Sequence, residues 1–223
     1  MPPALIFDLD GTLVDTVYAH VLAWERALAD YNLAVPAWRI HLRVGMSGAL
    51  VTEALSREVG RRLSAAECEG LPERHNAHYR EIVPRPVPLP GAVALLRHLH
   101  NREVRFGIAT SGQRLVAQPS LDALQLPSHV PVVNGDEVSH AKPAPDILLA
   151  VQHRLGVAPD ECIVVGDAVW DHLAARRARM TSVGVLTGGT SATELFHAGA
   201  MRVFQDPAEL TTALAELGLE EDS

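Results

Sequence analysis

Cysteine, basic charge and long apolar runs are all scarce in this chain of 223 residues, and each scarcity excludes something. The two cysteines, Cys68 and Cys162, stand 94 positions apart and form no CxxC pair. They suggest neither a disulfide framework nor a zinc site. No apolar stretch approaches the length that spans a bilayer, and Met1-Pro2-Pro3-Ala4 lacks the basic-then-apolar pattern of a signal peptide. A soluble, cytoplasmic protein with no membrane partner is the expectation. Nineteen Lys and Arg against 27 Asp and Glu leave a net charge of −8, which argues against a general affinity for nucleic acid. Hydrophobic residues at 48% and charged residues at 21% are ordinary for a globular chain and rule out a disordered or collagenous one. The length admits one large domain, or a core with a smaller insert.

Short β-rich apolar runs recur, at 4–7, 104–109, 130–133, 162–165, 182–186 and 202–204. Several lack polar alternation, as expected of strands covered on both faces. Helical patterns follow at 92–101, 113–125, 144–155, 169–179, 192–198 and 207–217. Strand alternating with helix means an α/β fold with a parallel, Rossmann-like sheet, whose site lies beyond the carboxyl ends of the strands. The stretch 14–88 breaks this alternation. It reads as helix after helix and ends in a connector where every second residue is proline, Pro84 to Pro90. The expected division is an α/β core of 1–13 and 89–223, with 14–88 as a helical insertion. The acidic tail 220–223 is expected to fray.

Four of the strand ends carry polar residues suited to chemistry. The first run ends in Asp8-Leu9-Asp10-Gly11-Thr12. Two acids beside a tight turn are costly unless a cation or a reaction uses them, although Asp-Gly is also common turn chemistry. The second run leads to Thr110-Ser111-Gly112, which can hold phosphate or simply cap a helix. The third leads to Lys142, held between Ala141 and Pro143, where an ordinary solvated lysine is the plainer account. The fourth leads to Gly166-Asp167, with Asp171 four positions later; these acids can share a face, or serve as N-cap and dipole partner. Each plain account is respectable alone. The conjunction favours a site, because all four ends converge on one edge of a parallel sheet.

These motifs, in this order, resemble those of the haloacid dehalogenase superfamily, and the likeness covers essentially the whole chain. The position of the helical insertion is similar to that family's cap. The resemblance implies that Asp8 is a nucleophile forming an aspartyl-phosphate and that Asp10 is the acid, then the base. It implies that Thr110 holds a phosphoryl oxygen, with Ser111 and Gly112 beside it, and that Lys142 neutralises charge. Metal binding falls to Asp8, Asp167, Asp171 and the main-chain carbonyl of Asp10. Up to four carboxylates and a phosphate monoester face one lysine, so a divalent cation is needed. An all-oxygen donor set with no Cys or His selects a hard ion, Mg²⁺. Asp10 points to phosphotransfer, since an alkoxide leaving group needs a proton and a halide does not.

In the insertion, Asp15-Thr16, His20 and Trp24 are spaced as in the β-phosphoglucomutases of the same superfamily. Trp24 is expected to pack internally, while His20 is a substrate-binding candidate. Arg43, before Gly45 and Gly48, is a second candidate for an anionic group, against the commoner solvated arginine. No clear match exists to the basic residues with which a mutase cap grips a second phosphate. The expected activity is therefore a Mg²⁺-dependent phosphatase for a small phosphorylated metabolite, a sugar phosphate or phosphoglycolate. The alternatives are a sugar-phosphate mutase and a non-catalytic binding protein. Monomer and homodimer are both open.

Overall fold

The computed structural model describes residues 2–60 and 62–219; the acidic tail expected to fray lies outside them. Six strands, β1 (Ala4–Phe7), β2 (Phe106–Ala109), β3 (Val132–Val133), β4 (Cys162–Gly166), β5 (Thr181–Val185) and β6 (Arg202–Phe204), form one sheet in the order β3-β2-β1-β4-β5-β6. Every pairing is parallel. β1 lies at the centre, Phe7 facing Ile108 of β2 and Val165 of β4 in register. The strand-order switch falls beside β1, between β2 and β4, which is where an open α/β sheet opens a crevice.

Both faces of the sheet are covered. Leu5 and Phe7 project into one apolar cluster, with Ile108, Val165 and Val183. Ala4 and Ile6 project into another, with Ala109, Val164 and Ala174. All four residues of β1 are fully buried, which is why its sequence shows no polar alternation. The first cluster also takes in α5 (Ala92–Asn101) and α10 (Pro207–Thr212); the second takes in α7 (Asp146–Leu155) and α8 (Val169–Ala178). Helices α6 (Arg114–Ala123) and α9 (Ala192–Ala198) complete the alternation.

Some bounds differ from the sequence expectation for local reasons. The second and third strands start at Phe106 and Val132, because the N–H groups of Val104 and Val130 are spent on turns, to Leu99 and Pro127 carbonyls, at 3.0 Å each. The last helix stops at Thr212, and 215–217 form a separate 3₁₀ turn. The hydroxyls of Thr211 and Thr212 donate to the Pro207 and Glu209 carbonyls, the back-bonding that weakens helices.

Between β1 and α5, apart from isolated bridges at Asp10, Val14 and Pro88, the elements among the described residues are helices: α1 (Val17–Asp30), α2 (Ala37–His41), α3 (Gly48–Glu58) and α4 (Ala65–Ile82). They enclose an apolar cluster of their own, including Trp24, Leu28, Ile40, Leu55 and Leu71. The outgoing and returning chains run side by side. Leu89 N–H donates to Leu13 O at 2.9 Å, and Asp15 N–H to Val87 O at 3.0 Å. No described helix is long and apolar enough to cross a membrane.

Candidate active site

The central strand delivers its acids by ending. Asp8 still extends the sheet, its N–H donating to Val165 O at 2.9 Å. The chain then turns at Gly11, whose φ of +83° lies in the left-handed region that glycine tolerates. A Cβ there would also strike the Val17 side chain and the Asp167 carboxylate. Thr12 Oγ1 donates to Asp167 Oδ1 at 2.8 Å, tying the first turn to the end of β4. Asp171 sits in the first turn of α8, where its Oδ2 accepts the Ala168 N–H at 3.1 Å.

Asp8, Asp167 and Asp171 each offer an oxygen within 4.8 Å of the others, and all three residues are buried. Lys142 enters from beyond β3 and is 1% exposed. Its ammonium bonds Asp8, donates to Ala109 O at 2.9 Å and stands 2.8 Å from Asp171 Oδ1. Burial opposes its charge, but Asp171 and Asp8 hold its pKa above the ordinary lysine value. Burial pushes Asp8 up to about 7; Lys142 pulls it back, and the charges of Asp171 and Asp10 add to the rise. Asp167 is raised as well, first by burial and then by Asp8 and Asp171. One ammonium is thus too little charge for three carboxylates. Their all-oxygen donor set suits a hard divalent cation and offers nothing to a soft one.

The Asp10 carboxylate stands apart from this cluster. Its Oδ1 accepts the Thr16 hydroxyl at 2.7 Å and lies 3.3 Å from His20 Nε2. Burial alone would raise Asp10, but the charge of His20 and the hydrogen bonds of His20 and Thr16 hold it below the ordinary carboxylate value. His20 Nδ1 in turn meets His75 Nε2 at 3.0 Å, His75 Nδ1 meets Asn76 Oδ1 at 3.0 Å, and Asn76 Nδ2 donates to Gln113 Oε1 at 2.8 Å. A chain of polar contacts so runs from Asp10 through α1 and α4 back to the loop before α6.

Thr110 lies at the end of β2 and is 1% exposed. It follows Ala109, whose carbonyl receives the Lys142 ammonium, and its Oγ1 accepts the Gly112 N–H at 3.1 Å. Ser111 and Gly112 line the cavity over Asp8 and Asp10, and Ser111 Oγ donates to Gly45 O at 2.9 Å. This cavity measures about 390 Å³ and lies between the sheet edge and the helical segment. His20 lines it. Trp24 belongs to the helical cluster and stacks on His75 at 4.4 Å, yet it also lines the cavity. Arg43 corrects the expectation made for it. Its guanidinium donates to Glu58 at 3.3 Å, beside Arg39 on the same carboxylate, and it is not among the cavity residues. An acid at the end of α3 has drawn it away from the substrate side.

Sequence reading missed His75, Asn76, Gln113 and Gly188. Gln113 directly follows the Thr110-Ser111-Gly112 motif, a proximity that could have flagged it. A Cβ on Gly188 would overlap the Asp167 carboxylate, a constraint set across more than 20 positions that no local pattern announces. His75 and Asn76 lie mid-helix in α4 and reach the site only through tertiary packing.

Comparison with known proteins agrees with this architecture. The family model described as haloacid dehalogenase-like hydrolase matches residues 5–185. The phosphoglycolate phosphatase of Rhodospirillum rubrum is 35% identical, over 94% of this chain and 90% of that protein. The β-phosphoglucomutase of Bacillus subtilis is 30% identical, over 83% and 84% respectively. The crystal structure of a hydrolase from Pseudomonas syringae superimposes with a TM-score of 0.93 at 45% identity, covering 96% of this chain and 98% of that one. With the matched region spanning the sheet from β1 to β5 and every strand end described above, the chain belongs to the haloacid dehalogenase-like hydrolase family.

Proposed function

We propose that this protein is a Mg²⁺-dependent phosphatase that hydrolyses a small phosphate monoester through an aspartyl-phosphate on Asp8, with 14–88 acting as the cap that closes the site. The observation that carries this reading is the division of labour among the acids. Asp8 is held by Lys142 within the cluster of Asp167 and Asp171, while Asp10 is held outside it by Thr16 and His20.

In this scheme the Asp8 carboxylate attacks phosphorus and the ester oxygen leaves as the P–O bond breaks. Asp10 gives that oxygen its proton. His20 Nε2, 3.3 Å from Asp10 Oδ1, is placed to exchange that proton with it. Asp10 then takes a proton from water, which opens the acyl-phosphate to free Asp8 and inorganic phosphate. Lys142 balances the charge that builds on Asp8 and the phosphoryl group. The hydroxyl of Thr110 and the loop at Ser111 and Gly112 orient the phosphoryl oxygens. Asp8, Asp167, Asp171 and the Asp10 carbonyl would hold Mg²⁺, which when bound supplies the positive charge that Lys142 alone lacks.

The test is phosphate release from a panel of monoesters with Mg²⁺, run beside Asp8→Asn. Turnover that the variant abolishes supports the reading; no release from any ester, or release that survives the substitution, refutes it. A mutase would instead convert β-glucose 1-phosphate to glucose 6-phosphate without releasing phosphate.

A further inference from the structure

We infer that the leaving group this cavity accepts is an uncharged polyol, so that the substrates are neutral sugar or sugar-alcohol phosphates and not esters bearing a second anion. The inference rests on the phosphatase reading above and deepens it.

Its ground is the charge of the wall. Beyond Asp8 and Asp10, the cavity is bordered by the acidic residues Glu69 and Asp136, and among the described residues no Lys or Arg lines it. Three basic side chains close in the fold or sequence are committed elsewhere. Lys142 is buried against Asp8 and Asp171, and Arg43 and Arg39 share Glu58. The imidazole of His75 offers no cation, because burial together with the charge of His20 pushes its pKa down to about 3. With His20 already paired to Asp10 at 3.3 Å, a carboxylate or second phosphate on the leaving group would therefore lose water and gain no free cation among the described lining residues, facing Glu69 and Asp136 instead. An anion buried without a countercharge is strongly disfavoured.

Hydroxyls fare differently on the same wall. Ser47 Oγ accepts the Leu50 N–H at 3.4 Å and keeps its own proton to donate. Asn76 and Gln113 present amides, and Glu69 and Asp136 present acceptors. Trp24, also among the lining residues, supplies apolar surface for C–H groups. At about 390 Å³ the space is at the small end of ligand cavities, in keeping with one metabolite and its phosphate.

The experiment measures kcat/KM with Mg²⁺ for glucose 6-phosphate, fructose 1-phosphate and sorbitol 6-phosphate, against phosphoglycolate and glucose 1,6-bisphosphate. p-Nitrophenyl phosphate is the reference ester. The best neutral polyol phosphate should exceed both competitors, whose leaving groups carry an anion of their own, by about 100-fold, the scale of the penalty for like charges brought together. Glu69→Lys should move the ratio toward phosphoglycolate by about tenfold, since it exchanges a repelling charge for an attracting one. Phosphoglycolate or the bisphosphate matching the best neutral ester, or a ratio that Glu69→Lys leaves unmoved, overturns the inference while p-nitrophenyl phosphate turnover leaves the phosphatase reading standing. Absence of any Asp8-dependent hydrolysis, the reference ester included, overturns both.

Discussion

His20 and His75 face each other ring to ring, Nδ1 to Nε2 at 3.0 Å, and so join α1 to α4 directly above Asp10. Tyr79 stacks on His20 at 4.0 Å and Trp24 on His75 at 4.4 Å, and His75 is buried. Two imidazoles in such contact cannot both be charged without repulsion, and His75 is the one that stays neutral.

That asymmetry makes stability depend on acid. His75 is depressed by burial and by His20 to about 3, whereas an unfolded histidine titrates near 6.5. Asp10, Asn76 and His78 also face it or act on it, the first two favouring its protonation and the last opposing it. Below pH 6.5 the unfolded chain takes up a proton that the folded chain refuses, so stability falls as pH drops toward 3, by up to about 1.4 kcal/mol per pH unit. Urea midpoints measured from pH 4 to 8 should show this slope, and His75→Gln should flatten it. An unchanged slope in the variant refutes the assignment.

His20 should matter to proton transfer more than to binding. His20→Gln removes the partner placed to exchange a proton with Asp10. With a sugar phosphate, kcat should fall by about 10- to 100-fold, and the pH–kcat profile should shift. With p-nitrophenyl phosphate, whose leaving group needs little protonation, the loss should be smaller. Equal losses on both esters would show that His20 acts on the phosphoryl step or on folding instead.

Gly188 is expected to set metal affinity without touching the ion. Its missing Cβ is the space that the Asp167 carboxylate occupies. Gly188→Ala should displace that carboxylate and weaken Mg²⁺ binding by about 10- to 100-fold, as loss of supporting contacts around a ligand does elsewhere. Calorimetric titration with Mg²⁺ measures this directly.

Lys142→Met should cost stability as well as turnover. It strands Asp8 and Asp171 in a site where both are buried, and breaking such a buried pair typically costs about 3–5 kcal/mol. Added Mg²⁺ should restore part of the melting temperature, because it supplies charge to the same carboxylates. A variant as stable as the parent, with or without Mg²⁺, would contradict the charge balance described for this site.

The alternation of apolar runs and helical patterns was enough to place the central strand, since four consecutive apolar residues at 4–7 leave no face for water, as expected of a doubly covered strand. The acids after it were legible because they interrupt that run abruptly. Strand ends were less legible at Val104 and Val130, where equally apolar residues serve turns whose hydrogen bonds depend on the preceding helix or loop. In the helical segment the sequence pattern gave helices but not their facing sides. Arg43 illustrates this, since nothing near it in sequence announced that Glu58, one helix later, would claim it.

Periodicity and strand-end chemistry are local properties, written into a few adjacent residues, so the amino-acid order alone determined the parallel sheet, the helical insertion and the acids, hydroxyls and lysine carried at the strand ends. Distances between remote segments are not local. Only the folded chain decided that Gly188 yields its space to Asp167, that His75 stays neutral above Asp10, and that the cavity wall holds no Lys or Arg among the described residues. Those features arise from burial and charge shared among residues that meet only after the helices pack on the sheet.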